Sequence, residues 1–322
     1  MRVLFAGTPE LAVPSLRAVH KVSEVCAVLT APDRASGRGR RLTASPVKQL
    51  AEQLGHPVLQ PERLNGEARR QVAIYAPELL ICVAYGKIFG PKFLGLFPRG
   101  GINLHPSLLP RHRGPAPIPA AILAGDSETG VTIQSLSERM DAGDIYLQSH
   151  RPLDGSETTE QLSAELAESG AELLAETVRR IDAGTVTAKP QDENKATYCG
   201  MIAKTDGRID WNSPAEKIER MVRAYAPWPS AYTYLNGVEL KILAATVRSA
   251  DRAEHLGQAV GGAPEPGTVL GVDRELGILV QTGDGVLGIL RLQQKSRKPA
   301  EWRTFLNGNP AILESVLGGT EQ

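Results

Sequence analysis

Cysteine is scarce in this chain, with three residues among 322, at Cys26, Cys82 and Cys199. Because the number is odd and no two of them have the spacing of metal ligands, the pattern indicates neither a disulfide framework nor a zinc site. We therefore expect no metal. Cys26 and Cys82 lie in apolar segments and are predicted to be core thiols.

Net charge and long apolar runs are missing too. Lysine plus arginine number 36 and aspartate plus glutamate also number 36, so any binding of nucleic acid would require a local basic patch. No apolar run approaches the length of a transmembrane helix. The first residues, 1–7, have the pattern of a strand rather than of a signal peptide. We expect a cytoplasmic protein that does not bind a membrane.

A third absence concerns the first strand–helix turn. A buried strand is expected over 3–6, a helix over 9–20 and a second strand over 25–30, and this order predicts a parallel sheet. The turn contains only Gly7, whereas a dinucleotide fingerprint has three glycines, which argues against a nicotinamide enzyme. A fully apolar strand over 78–84 is expected at the centre of the sheet.

The length of the chain allows two domains, and its composition, 42% hydrophobic and 22% charged, is that of a globular protein. The polar stretch 188–195 is the best linker candidate, because the pattern changes there from long helices to short strands. The predicted division is an α/β domain over 1–187, a linker over 188–205 and a C-terminal domain over 206–322.

Short strands separated by glycine turns follow the predicted linker. They include a hairpin around Asn236-Gly237, the favoured pair for a two-residue turn. This pattern predicts a small OB-like β-barrel. Trp211 and Trp228 are predicted to be buried anchors rather than platforms on which bases stack.

The strand over 101–105 has two polar residues on one face. Side chains two apart in a strand point the same way, so Asn103 and His105 lie together, and Pro106 ends the strand directly after them. Ligands of open α/β sheets bind at this carboxyl edge. For His105 alone, the alternative is a core strand with a satisfied polar pair.

Asp141 supplies a second signal. It follows an alternating strand over 130–136 and lies in a turn that Gly143 allows to bend sharply. Together with Asn103 and His105 it would form one site, in which an amide holds a carbonyl oxygen, an imidazole transfers a proton and a carboxylate orients the ring.

An arginine-rich stretch, 32–46, interrupts the first strand–helix units. It has four arginines, Arg34, Arg38, Arg40 and Arg41, against one aspartate, and its glycines and prolines predict an irregular loop. The alternative is a solvated surface loop. Glycines between arginines would let the backbone follow a phosphate chain, which arginine binds with two hydrogen bonds.

The chain resembles the methionyl-tRNA formyltransferases, a group within the folate-dependent formyltransferase family, along nearly its full length. The segments that carry the resemblance are Phe5-Ala6-Gly7-Thr8-Pro9-Glu10, Pro32-Asp33-Arg34, Gly37-Arg38-Gly39-Arg40, Ser45-Pro46-Val47-Lys48, Val83-Ala84-Tyr85-Gly86, Asn103-Leu104-His105-Pro106-Ser107-Leu108-Leu109-Pro110, Asp141-Ala142-Gly143-Asp144, Ile209-Asp210-Trp211 and Pro227-Trp228-Pro229. The resemblance implies an α/β fold: a Rossmann-like catalytic domain with a mostly parallel sheet, then an OB-like barrel that binds tRNA.

The resemblance also implies site residues at the matching positions. The catalytic residues would be Asn103, His105 and Asp141. The folate contacts would be Ser107, Leu108, Leu109 and Pro110, with Tyr85 and Gly86 lining the same pocket. The tRNA contacts would be Arg34, Arg38, Arg40 and Arg41, of which Arg38 matches the most important arginine of the family's loop. This chain departs from the family at His112, where an aromatic residue is frequent, and at Pro119, where glutamine is common.

The implied reaction transfers the formyl group of 10-formyltetrahydrofolate to the amine of methionine on initiator tRNA. Asn103 and His105 would stabilise the oxyanion, and Asp141 would orient His105 and help to move a proton. The expected partners are the tRNA and the folate co-substrate, with no metal, and the protein is expected to be a monomer.

Two other functions compete with this one. The same formyl transfer could use a sugar amine or a glycinamide nucleotide as acceptor. A protein of another class, a non-catalytic RNA-binding module, could use the arginine loop together with Lys295, Arg297, Lys298 and Arg303, although it would leave Asn103, His105 and Asp141 unexplained.

Overall fold

The computed structural model describes residues 1–36, 41–247 and 264–319. They form two compact units. The first unit comprises 1–118, 127–153 and 161–200, and the second comprises 119–126, 154–160 and 201–322. The predicted domain boundaries at 187 and 205 stay predictions.

A seven-stranded sheet forms the centre of the first unit. Its strands are β1 (Arg2–Gly7), β2 (Glu24–Leu29), β5 (Val58–Leu59), β6 (Leu79–Val83), β7 (Gly101–His105), β8 (Glu128–Ser135) and β9 (Ile145–Pro152), in the order β5-β2-β1-β6-β7-β8-β9. The first five strands in that order pair in parallel, and the last two pairings are antiparallel. The prediction of a mostly parallel sheet with an apolar strand at its centre is confirmed, because β6 is buried along its whole length.

Helices precede or follow the parallel strands, as expected for parallel neighbours. They are α1 (Val13–His20), α2 (Pro46–Gln53), α3 (Gly66–Ala73) and α4 (Pro91–Leu94). Two more helices follow: α5 (Pro117–Ala124) lies in the chain between the antiparallel strands β7 and β8, and α6 (Thr159–Asp182) comes after β9. Ser45 begins α2 as the sequence predicts, because its hydroxyl accepts the N–H of Lys48 at 3.1 Å and so satisfies one of the free amides of the first turn.

The arginine-rich stretch differs from the expectation of a wholly irregular loop. Two short strands, β3 (Arg34–Ser36) and β4 (Arg41–Thr43), pair antiparallel, with Arg34 opposite Thr43. The six residues of these two strands include no glycine and no proline, so their backbones can form a regular ladder of hydrogen bonds. Arg38 and Arg40 lie outside the described residues.

A six-stranded antiparallel sheet forms the second unit. Its strands are β10 (Ala231–Leu235), β11 (Val238–Val247), β12 (Val269–Asp273), β13 (Gly277–Gln281), β14 (Val286–Gln294) and β15 (Ala300–Glu301), accompanied by α7 (Ala215–Ala224) and α8 (Trp302–Gly308). The predicted hairpin is confirmed: Asn236 and Gly237 connect β10 to β11, both with positive φ. This antiparallel arrangement agrees with the predicted OB-like barrel.

The two tryptophans of the second unit have different surroundings. Trp211 is buried, and its indole N–H donates to the hydroxyl of Thr233 at 3.0 Å, as expected of a core anchor. The prediction for Trp228 is wrong, since this side chain is 60% exposed. It lies between Pro227 and Pro229 in the loop after α7, and loops of this kind run over the surface. Within the described ranges, no helix is long and apolar enough to cross a membrane.

Candidate active site

The site is built on two pairs of directly opposed residues on one face of the first sheet. In the antiparallel pairing of β7 with β8, Asn103 is opposite Gln134 and His105 is opposite Thr132. Directly paired residues have their side chains on the same face, so the register brings all four together. On its other side, Asn103 is opposite Cys82 of β6. The carboxyl end of β7 therefore carries a compact polar cluster.

The carboxylate of Asp141 is held at both oxygens. Its Oδ2 accepts the backbone N–H of Gly114 at 2.9 Å, and its Oδ1 accepts the side-chain amide of Gln134 at 2.8 Å. Asp141 itself has φ 51°, and Gly143 brings the turn so close to β8 that a Cβ there would overlap the carbonyl oxygen of Ser135. The turn thus places a carboxyl group that is held at both oxygens beside the end of β7.

His105 faces this carboxylate through Nδ1. The ring is 4% exposed, and its Nε2 lies 2.9 Å from the carbonyl oxygen of His112. A carbonyl only accepts, so Nε2 carries the proton and Nδ1 of the neutral ring is free to accept one. The distance from Nδ1 to Oδ1 of Asp141 is 3.6 Å. Burial lowers the pKa of His105, and the charge of Asp141 opposes that change.

Asn103 is the third member of the predicted catalytic trio of Asn103, His105 and Asp141. Its side chain is partly exposed, and no side chain or backbone group of the described residues forms a hydrogen bond with it. A partly buried amide with unused donors is suited to a ligand oxygen. The structure therefore places His105 beside Asp141, and Asn103 on the same face of the same strand as His105.

The segment predicted to contact folate is fixed by its neighbours. Thr132 accepts the N–H of Leu109 at 3.1 Å and donates to the carbonyl of Ser107 at 2.7 Å. Gln148 donates to the carbonyl of Leu109 at 3.0 Å. The Ser107 hydroxyl is buried and donates to the carbonyl of Arg111.

Side chains of this segment differ in their exposure. Leu109 is buried, whereas Leu108 and Pro110 are partly exposed and offer an apolar surface. The Tyr85 ring points into the core and stacks on Phe89 with ring centres 5.5 Å apart, and its burial raises the pKa of the phenol. Gly86 next to it is exposed. At Ser107, Leu109 and Tyr85, a ligand would therefore meet backbone rather than side chain.

Two of the four arginines predicted to contact tRNA lie within the described residues. Arg34 is exposed on β3. The backbone of Arg41 lies in β4, while Arg38 and Arg40 are outside the described residues. In the part of the chain that the structure describes, no three His, Cys, Asp or Glu side chains are grouped so as to hold a metal ion.

Sequence reasoning missed the residues that support the trio. Arg113 is fully buried, and its guanidinium donates to Gln191, Glu193 and Tyr198. Gln191 in turn donates to the carbonyl oxygen of Asp141 at 2.9 Å. No local pattern marks Arg113 or Gln191. Gln134 lies in the strand predicted over 130–136, but only the pairing of β7 with β8 shows that it stands opposite Asn103.

Comparison with known proteins agrees with this fold. A family model described as formyl transferase matches residues 1–178, and one described as formyl transferase, C-terminal domain, matches residues 201–310. A methionyl-tRNA formyltransferase of Treponema denticola is 46% identical over 329 residues, covering 100% of both chains.

Two solved structures share the fold. An N-formyltransferase from Helicobacter canadensis, solved with folinic acid and dTDP-3-aminofucose, superposes with a TM-score of 0.63 at 18% identity, covering 89% of this chain and 98% of its own. HypX from Aquifex aeolicus, in complex with tetrahydrofolic acid, gives 0.60 at 20% identity, covering 100% of this chain and 48% of its own. At these identities the likeness concerns the fold alone.

The class follows from the two family models and the parallel sheet with its polar trio: this is a transferase enzyme of the formyl transferase type. The relative that is 46% identical over the whole length defines the group more closely. The chain belongs to the methionyl-tRNA formyltransferase family.

Proposed function

We propose that this enzyme transfers the formyl group of 10-formyltetrahydrofolate to the amino group of methionyl initiator tRNA. The single observation that supports the chemistry best is the trio at the end of β7, in which the imidazole of His105 faces the carboxylate of Asp141 and the amide of Asn103 lies on the same face of the strand. The acceptor rests on the full-length relative from Treponema denticola, named a methionyl-tRNA formyltransferase. Its use in translation initiation would locate the enzyme in the cytoplasm.

The amine attacks the formyl carbon directly, so no enzyme nucleophile is required. The new C–N bond forms as the carbonyl oxygen becomes an oxyanion, and the bond from carbon to N10 of the folate then breaks. The proton that the amine loses is finally received by N10. In this proposal the free donors of Asn103 bind the oxyanion, a role whose removal typically lowers the rate about 10²–10³-fold.

His105 and Asp141 handle the proton. Neutral His105 has its only N–H committed to the carbonyl of His112, so it accepts the proton of the amine at Nδ1. The imidazolium so formed lies 3.6 Å from the carboxylate of Asp141, which stabilises it. Only in that protonated form can Nδ1 donate to the oxyanion. His105 therefore assists Asn103 after the attack rather than before it.

The folate would lie against Leu108 and Pro110, the partly exposed side chains of the segment that Thr132 and Gln148 hold. Backbone groups of the same segment and of Gly86 would complete the pocket for the pterin. The tRNA would be bound by the arginines of the β3–β4 hairpin, Arg34, Arg38, Arg40 and Arg41. The proposed enzyme is a monomer.

The test supplies radiolabelled 10-formyltetrahydrofolate with charged initiator tRNA, uncharged tRNA, a nucleotide-linked amino sugar or glycinamide ribonucleotide. We expect label only in the charged tRNA. Affinity for that tRNA should fall steeply with salt, because arginines that bind phosphates release counterions. Transfer to a small amine with weak dependence on salt would support the alternative acceptor, and absence of folate binding would support the non-catalytic RNA-binding protein.

Arg38→Ala tests the hairpin separately from the chemistry. Loss of charge-assisted contacts to phosphate should weaken tRNA use by about 1–3 kcal/mol. The folate KM should stay the same. An unchanged rate with charged tRNA would contradict the proposed role of the loop.

A further inference from the structure

Gln134 on β8 is a buried amide that the proposed reaction leaves without a role. It is 2% exposed and stands opposite Asn103. Its Nε2 donates to Oδ1 of Asp141 at 2.8 Å, and its Oε1 accepts the N–H of Gly143 at 3.2 Å. A carboxylate only accepts and a backbone N–H only donates, so these two partners fix the orientation of the amide.

A second side-chain amide, that of Gln191, also contacts Gln134. The amide of Gln191 lies 3.3 Å from its Oε1 and also donates to the carbonyl oxygens of Asp141 and Gly143. Gln191 is itself fixed by two N–H groups of Arg113. The donor that meets Asp141 is thus part of a connected polar network and has little freedom to turn away.

We propose that Gln134 is a positioning residue that sets the proton affinity of the Asp141–His105 pair. The inference rests on the proposed function, because that function requires the pair to be free of a proton before the amine attacks. It assigns Gln134 no contact with either substrate. Its effect passes through Oδ1 of Asp141.

The physical reason is that Gln134 and His105 meet the same oxygen of Asp141. Oδ1 is the atom that accepts the Gln134 amide and also the atom that faces Nδ1 of His105. A hydrogen bond donated to a carboxylate stabilises its ionised form and leaves less negative charge to attract a proton on the neighbouring ring. Without that donor, Oδ1 would be satisfied best by a proton, either its own or that of a His105 imidazolium.

Other titratable groups lie near the Asp141–His105 pair, namely Cys82, Cys199, His112 and Arg113. Burial raises the pKa of the Cys82 thiol to about 12 and also raises that of Cys199, so both are neutral near pH 7. His112 faces His105 from the loop and disfavours its protonation. Arg113 lies beyond Gln191 and is paired with Glu193.

The experiment compares Gln134→Met with Gln134→Glu in the full chain. The first removes the donor at similar size, and the second replaces the donor by a carboxylate. Gln148→Met is the matched control, since Gln148 carries the same amide on β9 and contacts Leu109 and Thr132 rather than Asp141. Two readouts are used: titration of the His105 ring by nitrogen NMR, and kcat/KM for charged tRNA against pH.

Gln134→Met should raise the apparent pKa of the pair by about 0.5–1 unit and move the acid limb of kcat/KM upward by the same amount. Gln134→Glu should raise both further, because a like charge then faces Asp141. Gln148→Met should change the KM for 10-formyltetrahydrofolate and leave the titration of His105 unchanged. A merely structural role for Gln134 would lower activity at every pH without moving the limb.

The inference is overturned if folded Gln134→Met titrates like the unsubstituted protein. If that variant does not fold, Gln134→Glu decides the question through the same titration. The NMR readout needs no acceptor, so failure of the inference can be distinguished from failure of the proposed function. A shifted His105 without transfer to charged tRNA would contradict the proposed function alone, whereas an unshifted His105 in an active enzyme would contradict the inference alone.

Discussion

Nε2 of His105 lies 2.9 Å from the carbonyl oxygen of His112, and this contact decides what the ring can do. It assigns the proton of the neutral ring to Nε2 and leaves Nδ1 as an acceptor that faces Asp141. His112 has φ 55°, an uncommon backbone conformation for a residue other than glycine, and this conformation belongs to the loop that presents its carbonyl to the ring. The loop after β7 thus determines the chemistry of the histidine on β7.

Asn103→Ala should abolish most turnover without weakening the binding of substrates. Removing an oxyanion donor typically lowers kcat about 10²–10³-fold. The affinity for charged tRNA, measured by filter binding, should be unchanged. Asn194→Ala is the control, because Asn194 is an exposed amide of the same unit and should be neutral. Full activity in Asn103→Ala would end the proposed mechanism.

The pH profile should reflect the buried position of His105. Burial lowers its pKa below the ordinary value of 6.5, so the ring is neutral at pH 7. We expect kcat/KM to be constant near neutrality and to fall only as the pH drops through that lowered pKa. An acid limb above pH 6.5 would show a ring that is not desolvated and would contradict this assignment.

The free energy of unfolding should also depend on pH through His105, and it should decrease in acid as kcat/KM does. The unfolded chain binds a proton at His105 more readily than the folded one, so the free energy of unfolding should decrease as the pH falls below 6.5. His105→Asn should weaken this pH dependence. Urea titrations at several pH values measure the effect, and an identical dependence in the variant would assign it to other groups.

Gly114→Ala should damage the carboxylate site through the backbone. Gly114 has φ 118°, and a Cβ would overlap the carbonyl oxygen of Cys199, so the N–H that binds Oδ2 of Asp141 must move. We expect kcat to fall at least about 10-fold, since small misplacements of catalytic groups have effects of that size or larger. The comparison is Gly155→Ala, also at positive φ but with open space around it.

Each of these two substitutions adds strain at a left-handed position, of order 1 kcal/mol or more. Only Gly114→Ala should lower activity in protein that is still folded. Equal loss of activity in both variants would mean that strain alone, and not the position of Asp141, is responsible.

Arg113→Met should destabilise the first unit. The guanidinium is fully buried and donates to Gln191, Glu193 and Tyr198, so its removal breaks several charge-assisted hydrogen bonds at once. We expect Tm to fall by about 5 °C or more. Arg139→Met is the control, since Arg139 pairs with the same Glu193 but is 71% exposed, and should change Tm little. Equal effects would refute the importance of burial.

Much of the fold can be read from local pattern. The apolar run at Leu79–Val83 predicts a central strand because every side chain there must be buried, and Asn236-Gly237 predicts a hairpin because both positions need positive φ. The β3–β4 hairpin and exposed Trp228 were not predicted. Short pairings and surface loops depend on contacts with distant residues, which local pattern does not contain.

The alternation of side chains along a strand requires Asn103 and His105 to share a face, and Pro106 must end the strand directly after them. Which atoms meet these two side chains depends on the folded chain. The register of β7 with β8 places Gln134 beside Asn103, and the loop to His112 selects the tautomer of His105. Gln191, which Arg113 holds, supports Asp141 from 50 residues away in the chain. Hydrogen bonds between residues far apart in sequence exist only once the chain has folded, and these bonds define the proton chemistry of the site.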